Sequence, residues 1–318
     1  MTKEEMKIED LPGVGAATAE KLRDAGYVNL MSIAVATPGE LAEGVGMGEA
    51  ASRKVINAAR NNLDMGFTSG EDLLKKRELI IKIKTGSTAF DAMVGGGFES
   101  GGITECYGQF GSGKSALAHQ LAINGLFLDE SGEPTAYTIW IDSENTFRPE
   151  RIKQICEENG LDPLKILRNI KVVRAYNSDH QMMCGEKSED LIKREGLDVK
   201  LIVVDSLMTH FRSEFIGRGT LSGRQQKINK HMHTLMKLAD QYNLAVYVTN
   251  QVMSKPDTFF GDPTAAIGGN IVGHNSQTRI YLRRGKKGTR VAKLVDSPYL
   301  PDGESVFEIT NKGIVDVK

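Results

Sequence analysis

The run Gly108-Gln109-Phe110-Gly111-Ser112-Gly113-Lys114-Ser115 constrains this chain more than any other stretch. It fits G-x-x-x-x-G-K-[ST], a loop that wraps phosphates between a strand and a helix. Ile103 to Tyr107 before it read as a short strand. Ala116 to Phe127 after it read as a helix, with Leu117/Leu121 and Ala118/Ala122 paired at i, i+4. Glycines at 108, 111 and 113 let the chain turn tightly, so that backbone N–H groups converge on an anion. The helix N-terminus adds a partial positive charge. In this pattern Lys114 reaches the β- and γ-phosphates of a nucleoside triphosphate, and the Ser115 hydroxyl ligates Mg²⁺.

The surroundings predict an α/β domain. Short apolar strands recur at 103–107, 138–142, 170–176, 201–205 and 245–250, with helical segments between most of them. That alternation belongs to a mostly parallel sheet covered on both faces. Ligands of such sheets bind beyond the C-terminal strand ends. The residues at those ends are therefore the candidate site. Asp205 closes an apolar strand and suits a carboxylate that holds Mg²⁺ through water. Glu144 follows the strand at 138–142 and suits the group that polarises an attacking water. Gln251, polar and uncharged, suits a hydrogen-bonding sensor of the γ-phosphate. Each also has a plainer reading as a helix cap or a solvated loop residue.

The chain has 318 residues, a length that as a prior means about two domains. Its net charge of −1 requires any nucleic-acid surface to be a local basic patch. Cys106, Cys156 and Cys184 are scattered and odd in number, which points to a reducing compartment without disulfides or zinc. The charged N-terminus and the lack of a long apolar run predict a soluble, intracellular protein with no membrane partner.

Residues 1–60 read as a separate all-α unit, 61–77 as a linker and 78–318 as the α/β core. The first unit carries Gly13-Val14-Gly15 and Gly44-Val45-Gly46, each followed by a helical segment with a basic residue, Lys21 or Lys54. Such a pair resembles helix-hairpin-helix motifs, whose exposed N–H groups hold a DNA phosphate without reading sequence. Two purely structural hairpins are the alternative. In the linker, Phe67 stands alone between small residues, and either packs on its own domain or anchors in a neighbouring subunit. Segments 210–226 and 252–277 read as long loops. Arg212, Arg218 and Arg224 recur along the first, a spacing that suits phosphate contact or an ordinary solvated loop. Segments 278–284, 289–295 and 304–310 read as hairpin strands. Residues 283–293 carry Arg283, Arg284, Lys286, Lys287, Arg290 and Lys293 with no acid, as a nucleic-acid contact or a solvated hairpin tip.

The ordered set of motifs resembles one family over nearly the full length. Beyond the P-loop and the N-terminal hairpins it includes Gly-Phe-Thr-Ser-Gly at 66–70, Gly-Gly-Gly at 95–97 and Asp-Ser-Glu-Asn-Thr-Phe-Arg-Pro-Glu-Arg at 142–151. Arg-Ala-Tyr-Asn-Ser-Asp at 174–179, Val-Asp-Ser at 204–206 and Gly-Arg-Gly-Thr-Leu-Ser-Gly-Arg-Gln-Gln at 217–226 continue it. Thr-Asn-Gln-Val at 249–252, Gly-Gly-Asn at 268–270 and Leu-Val-Asp-Ser-Pro at 294–298 complete it. The chain resembles the archaeal RadA recombinases, counterparts of the eukaryotic strand-exchange proteins and of bacterial RecA. The resemblance implies a RecA-like ATPase core with a helix-hairpin-helix N-terminal domain. It implies an ATP- and Mg²⁺-dependent filament on single-stranded DNA that pairs with a homologous duplex and exchanges strands in DNA repair. Rings, mediator proteins, a monovalent cation such as K⁺ and a nucleoid-associated location come with it.

By motif, Phe67 is the polymerisation anchor and Arg151 stacks on adenine. Residues 210–226 and 252–275, the latter with Gly268 and Gly269, are the two DNA loops. Asp296 and Pro301 cap the ATP of the adjacent subunit, and His274 links that nucleotide to the second DNA loop. Two positions depart from the pattern: Gly70, where alanine is frequent, and Cys106, where an aromatic is common. An ATP-binding regulatory paralogue and a hexameric helicase are the other classes that share this core.

Overall fold

The structure is a computed structural model that describes residues 7–62, 68–254 and 264–317. The chain divides into two units, Met1–Glu78 and Leu79–Lys318.

The first unit is helical, with α1 (Ala16–Asp24), α2 (Leu30–Ala34), α3 (Pro38–Val45), α4 (Glu49–Asn62) and α5 (Gly70–Arg77). Its short helices start at strong local signals. The Asn29 carboxamide accepts from Ser32 N at 2.8 Å, and Thr37 Oγ1 accepts from Glu40 N at 3.3 Å. Such caps satisfy N–H groups that have no partner inside the helix. Leu22, Ile33, Leu41 and Ile56 form the centre of a small core. Val14 and Val45 of the two Gly-Val-Gly turns are buried in it. The stretch expected to be a plain linker is helical from Gly70, because Ser69 caps Asp72 N at 3.1 Å and acids and bases flank the short helix. Phe67 lies outside the described residues.

The second unit opens with β1 (Lys82–Ile83), α6 (Thr88–Met93) and β2 (Phe98–Glu99). It continues with β3 (Ile103–Tyr107), α7 (Lys114–Asn124), β4 (Tyr137–Asp142), α8 (Pro149–Glu158), α9 (Pro163–Arg168), β5 (Ile170–Arg174), α10 (Ser178–Lys193) and β6 (Val199–Asp205). Then come α11 (Thr209–Glu214), α12 (Leu221–Gln241), β7 (Ala245–Asn250), β8 (Val252–Ser254), β9 (Thr264–Ala266) and α13 (Gly269–Asn275). The last strands are β10 (Thr278–Arg284), β11 (Arg290–Asp296), β12 (Gly303–Thr310) and β13 (Gly313–Asp316).

Nine strands form one sheet in the order β13-β12-β11-β10-β3-β7-β6-β4-β5. From β10 through β5 every pairing is parallel, and β10 through β13 form an antiparallel meander. Alternation along each parallel strand feeds two cores. Trp140, Leu201, Val203 and Tyr247 face α7 and α8. Ile139, Ile141, Ile202, Val204, Val246 and Val248 face α10 and α12. Burial of each such side chain is worth roughly 1.5–3 kcal/mol. Because both faces are covered, the strands read as continuous apolar runs.

The C-terminal strand is tied back to the start of the unit. Asp316 accepts from Ser87 Oγ at 2.6 Å, and from Thr88 N and Ala89 N at 3.1 Å each. The Ser87 bond first, then the α6 N–H groups, hold its carboxyl down to about 2.

Two segments expected to be loops carry regular structure. Residues 210–226 include α11 and the start of α12, so Arg212 and Arg224 stand on helices. Gly217, Gly219 and Gly223 suggested a loop, but Ile228, Met232 and Leu235 bury one face of α12 and extend it. In 252–277, β8 pairs with β9, Val252 opposite Ala266, and α13 follows. No helix among the described residues is long and apolar enough to cross a membrane.

Candidate functional site

The C-terminal ends of β3, β4, β6 and β7 open onto one cavity of about 570 Å³. It is lined by the P-loop and by Glu144, Thr146, Asp205, Ser206, Gln251, Arg290 and Ile309, among others. Parallel pairing explains the convergence: Asp142 stands opposite Asp205, and Tyr107 opposite Asn250, so the residues after them emerge on one side.

Gly113 is the N-cap of α7 at φ +109°, a conformation costly for any other residue, and it offers no side-chain cap. The first N–H groups of α7 are thus available to an anion. A Cβ at Gly108 would lie 2.1 Å from the Leu282 carbonyl, so β10 packs directly on the loop backbone. Phe110 is 97% exposed, so the loop works through its backbone there, as it does at Gln109 and Gly111. Ser112 Oγ is buried without a hydrogen-bond partner. Lys114 Nζ donates to Gly108 O at 2.8 Å and Gln109 O at 3.1 Å. Its burial lowers its pKa, against the opposing pull of Asp205 and Glu144.

The carboxylates differ in environment. Asp205 is buried and accepts from Thr146 Oγ1 at 2.7 Å and from Thr249 Oγ1. Burial raises its pKa against those hydrogen bonds. Ser115 and Asp205 are hard oxygen donors lining the same cavity, a pair that fits Mg²⁺. No group of three or more His, Cys, Asp and Glu that could hold a metal occurs among the described residues.

Glu144 sits at the cavity mouth. Its Oε1 accepts from Ser206 Oγ at 2.7 Å, Gln251 Nε2 at 2.9 Å and Thr209 Oγ1. Partial burial pushes its pKa up, but the bonds from Thr209, Ser206 and Gln251, with the Lys114 charge, outweigh it and leave the pKa lowered. An ionised carboxylate results, able to accept a proton from water. Asp142 accepts from Glu144 N, Thr146 N and Phe147 N at 3.0–3.2 Å and shapes the turn that carries Glu144.

The other candidates are spread over several elements. Arg212 on α11 reaches Gln251 Oε1 at 3.5 Å, while Arg224 is half-buried on α12 with its Nε unpartnered. Arg218 lies in the turn before α12, and its side chain is outside the described residues. Gly268, at φ +103°, and Gly269 open α13, which carries the exposed His274. Arg151 on α8 donates to Thr310 O at 2.6 Å and Gln154 Oε1 at 2.5 Å, next to the cavity-lining Ile309. Asp296 and Pro301 do not line the cavity. β11 begins at Arg290 beside the P-loop and ends at Asp296, level with Arg279 and with Glu105 in the middle of β3, so the chain there runs away from the P-loop.

Three neighbours of the loop were not assigned to it from sequence. Arg290 and Ile309 abut Gly113, and Arg284 Nε donates to Gly111 O at 3.4 Å. His119 joins Ser115 O at 2.6 Å to Arg148 N at 3.0 Å, so its Nδ1 carries the proton and its Nε2 accepts. Burial pushes its pKa down to about 4. The basic run at 283–293 was the available signal for the arginines. His119, one turn after Ser115, was the available signal for the histidine.

Comparison with known families gives two matches. The Rad51 family model matches residues 76–317. A model described as a SAM-like helix-hairpin-helix tandem matches residues 5–61.

Proposed function

Since the chain belongs to the Rad51 family, we propose that it is a DNA-dependent ATPase that assembles on single-stranded DNA and exchanges strands with a homologous duplex. The helix-hairpin-helix match adds a DNA-binding role for the first unit. One observation carries the reading. A single cavity joins the P-loop, a buried carboxylate, an ionised carboxylate and a carboxamide that is itself bonded to an arginine of α11.

In this reading ATP lies along the P-loop, with its phosphates on the first N–H groups of α7 and on Lys114. Mg²⁺, held by Ser115 and by Asp205 through water, neutralises the phosphate charge when bound. Glu144 takes a proton from the attacking water as its oxygen bonds to the γ-phosphorus, and ADP leaves. Gln251 hydrogen-bonds either the γ-phosphate or Glu144, so hydrolysis alters what it holds. Arg212, Arg218 and Arg224, with the segment after Gln251, contact DNA phosphates.

Assembly is supported by two features of the sheet. β5 is an edge strand with Val172 44% exposed, an open partner for an added segment such as that around Phe67. Asp296 ends a strand that runs away from the P-loop, which supports a role for it and Pro301 in capping the nucleotide of another copy. Arg151, which donates to Thr310 O next to Ile309, stacks on the adenine in this reading.

Electron microscopy with single-stranded DNA and a non-hydrolysable ATP analogue tests this, together with ATP turnover with and without DNA. Helical filaments and DNA-stimulated turnover are expected. Dispersed monomers with unstimulated turnover would exclude it.

A further inference from the structure

We infer that Asn250, Glu105 and Arg279 form a positioning clamp that ties the Gln251 backbone to Ile267 and α13, and so passes the nucleotide state to the segment between them. The inference rests on the recombinase reading and adds its regulatory path.

Glu105 is a fully buried carboxylate in the middle of β3. Each of its oxygens has one donor. Arg279 Nε of β10 reaches Oε2 at 2.7 Å, and Asn250 Nδ2 of β7 reaches Oε1 at 2.7 Å. A buried ion pair contributes little net stability, and removing one member leaves an uncompensated charge. An apolar pair would hold three strands together as well, so the polar chemistry points to orientation.

What is oriented is the base of the second proposed DNA segment. Asn250 is itself fully buried. Its Nδ2 also donates to Ile267 O at 2.5 Å, and its Oδ1 accepts from Gln251 N at 2.8 Å. Ile267 N donates to Gln251 O at 3.0 Å. One carboxamide thus holds both points where the excursion leaves and re-enters the core, and β8 and β9 begin to pair directly above it. The other arm runs through Arg279. Its guanidinium lies over the Tyr107 ring, 5.4 Å from the centroid. A Cβ at Gly273 of α13 would lie 3.2 Å from it, next to His274.

Gln251 Nε2 meets Glu144 at 2.9 Å. A shift of Gln251 toward a terminal phosphate therefore pulls on Asn250. Asn250 cannot follow without moving Ile267 or breaking its bond to Glu105. Two discrete arrangements of such a network are what couples sites.

The test is the ratio of single-stranded DNA affinities measured with a non-hydrolysable ATP analogue and with ADP. Asn250→Ala removes the centre of the clamp. Arg279→Lys keeps a positive charge on Glu105 and so protects folding, but gives up the planar contacts with Tyr107 and Gly273. In Asn250→Ala the ratio is expected to fall about fivefold or more, and in Arg279→Lys by a smaller factor, with basal ATP turnover changed less than about twofold. Unchanged ratios in both single variants overturn the clamp alone. So does a fall matched by equal loss of basal turnover, which marks a merely structural role. A parent chain whose DNA affinity ignores the nucleotide overturns the recombinase reading, and the clamp falls with it.

Discussion

Gln251 donates its carboxamide N–H to Glu144 Oε1 at 2.9 Å, across the ends of two strands, β7 and β4, that have β6 between them. The proposed base and the proposed sensor therefore share a hydrogen bond, and Arg212 approaches the other side of the same carboxamide at 3.5 Å. In the proposed mechanism a change at the nucleotide reaches Arg212 through two side chains, Glu144 and Gln251.

Glu144→Gln keeps the size of the side chain and removes its basicity. ATP turnover is expected to fall about 10²- to 10⁴-fold, the range of a lost general base, with ATP affinity retained. Gln251→Ala is expected to reduce stimulation by DNA more than basal turnover. Steady-state assays with and without single-stranded DNA measure both. Equal loss of both rates in Gln251→Ala would count against a sensor role.

The proposed DNA arginines act through charge. Replacing Arg212 or Arg224 with alanine is expected to weaken binding to all sequences alike. The slope of log affinity against log salt should flatten by about 0.7 per lost single-strand phosphate contact. Titrations at several salt concentrations give the slope, and an unchanged one removes that residue from the DNA surface.

Phe67→Glu introduces a charge where the assembly anchor is proposed. Sedimentation is expected to show a monomer at concentrations where the parent chain is assembled. Large assemblies that survive the change would exclude Phe67 as the anchor.

Two buried histidines predict acid sensitivity. His119 and His231 are each held down to about 4 by burial, from the ordinary 6.5. The neutral form is the one the fold accepts. Their contribution is therefore fully present above pH 6.5 and is lost as pH falls toward 4, where the unfolded chain has taken up protons and the folded one has not. Each shift corresponds to about 3 kcal/mol. Urea unfolding between pH 7.5 and 4.5 should show the decline, and His231→Gln should make it shallower.

Asp316 titrates the other way round from a base. Its pKa is about 2, below the ordinary 3.8, so its contribution is present above 3.8 and lost as pH falls through 2. Asp316→Asn is expected to lower the thermal midpoint at pH 7, and the gap to the parent should close in acid. A constant gap would mean that shape, and not charge, holds α6.

Much of the site was legible because its signals are local. A phosphate loop needs glycine, lysine and serine at fixed spacing between one strand and one helix, all within residues 103–124. Apolar strands with polar residues at their ends marked Glu144, Asp205 and Gln251, because a sheet buried on both faces leaves little other place for them. Local cues failed where burial overrode them. Glycines near 217–223 read as loop, yet the apolar stripe of α12 carries the helix through Gly223.

Sequence by itself determined the phosphate loop, the two-unit division of the chemistry and the kind of side chain at each strand end, since each follows from neighbours along the chain. Only the tertiary structure decided that Glu105 meets Arg279, that Arg290 abuts Gly113, and that Asp296 stands opposite Arg279. Those pairs depend on β10 aligning beside β3 across 174 residues, from Glu105 to Arg279. Strand order is set by which faces bury the most apolar surface together, a property of the assembled sheet that no single stretch carries.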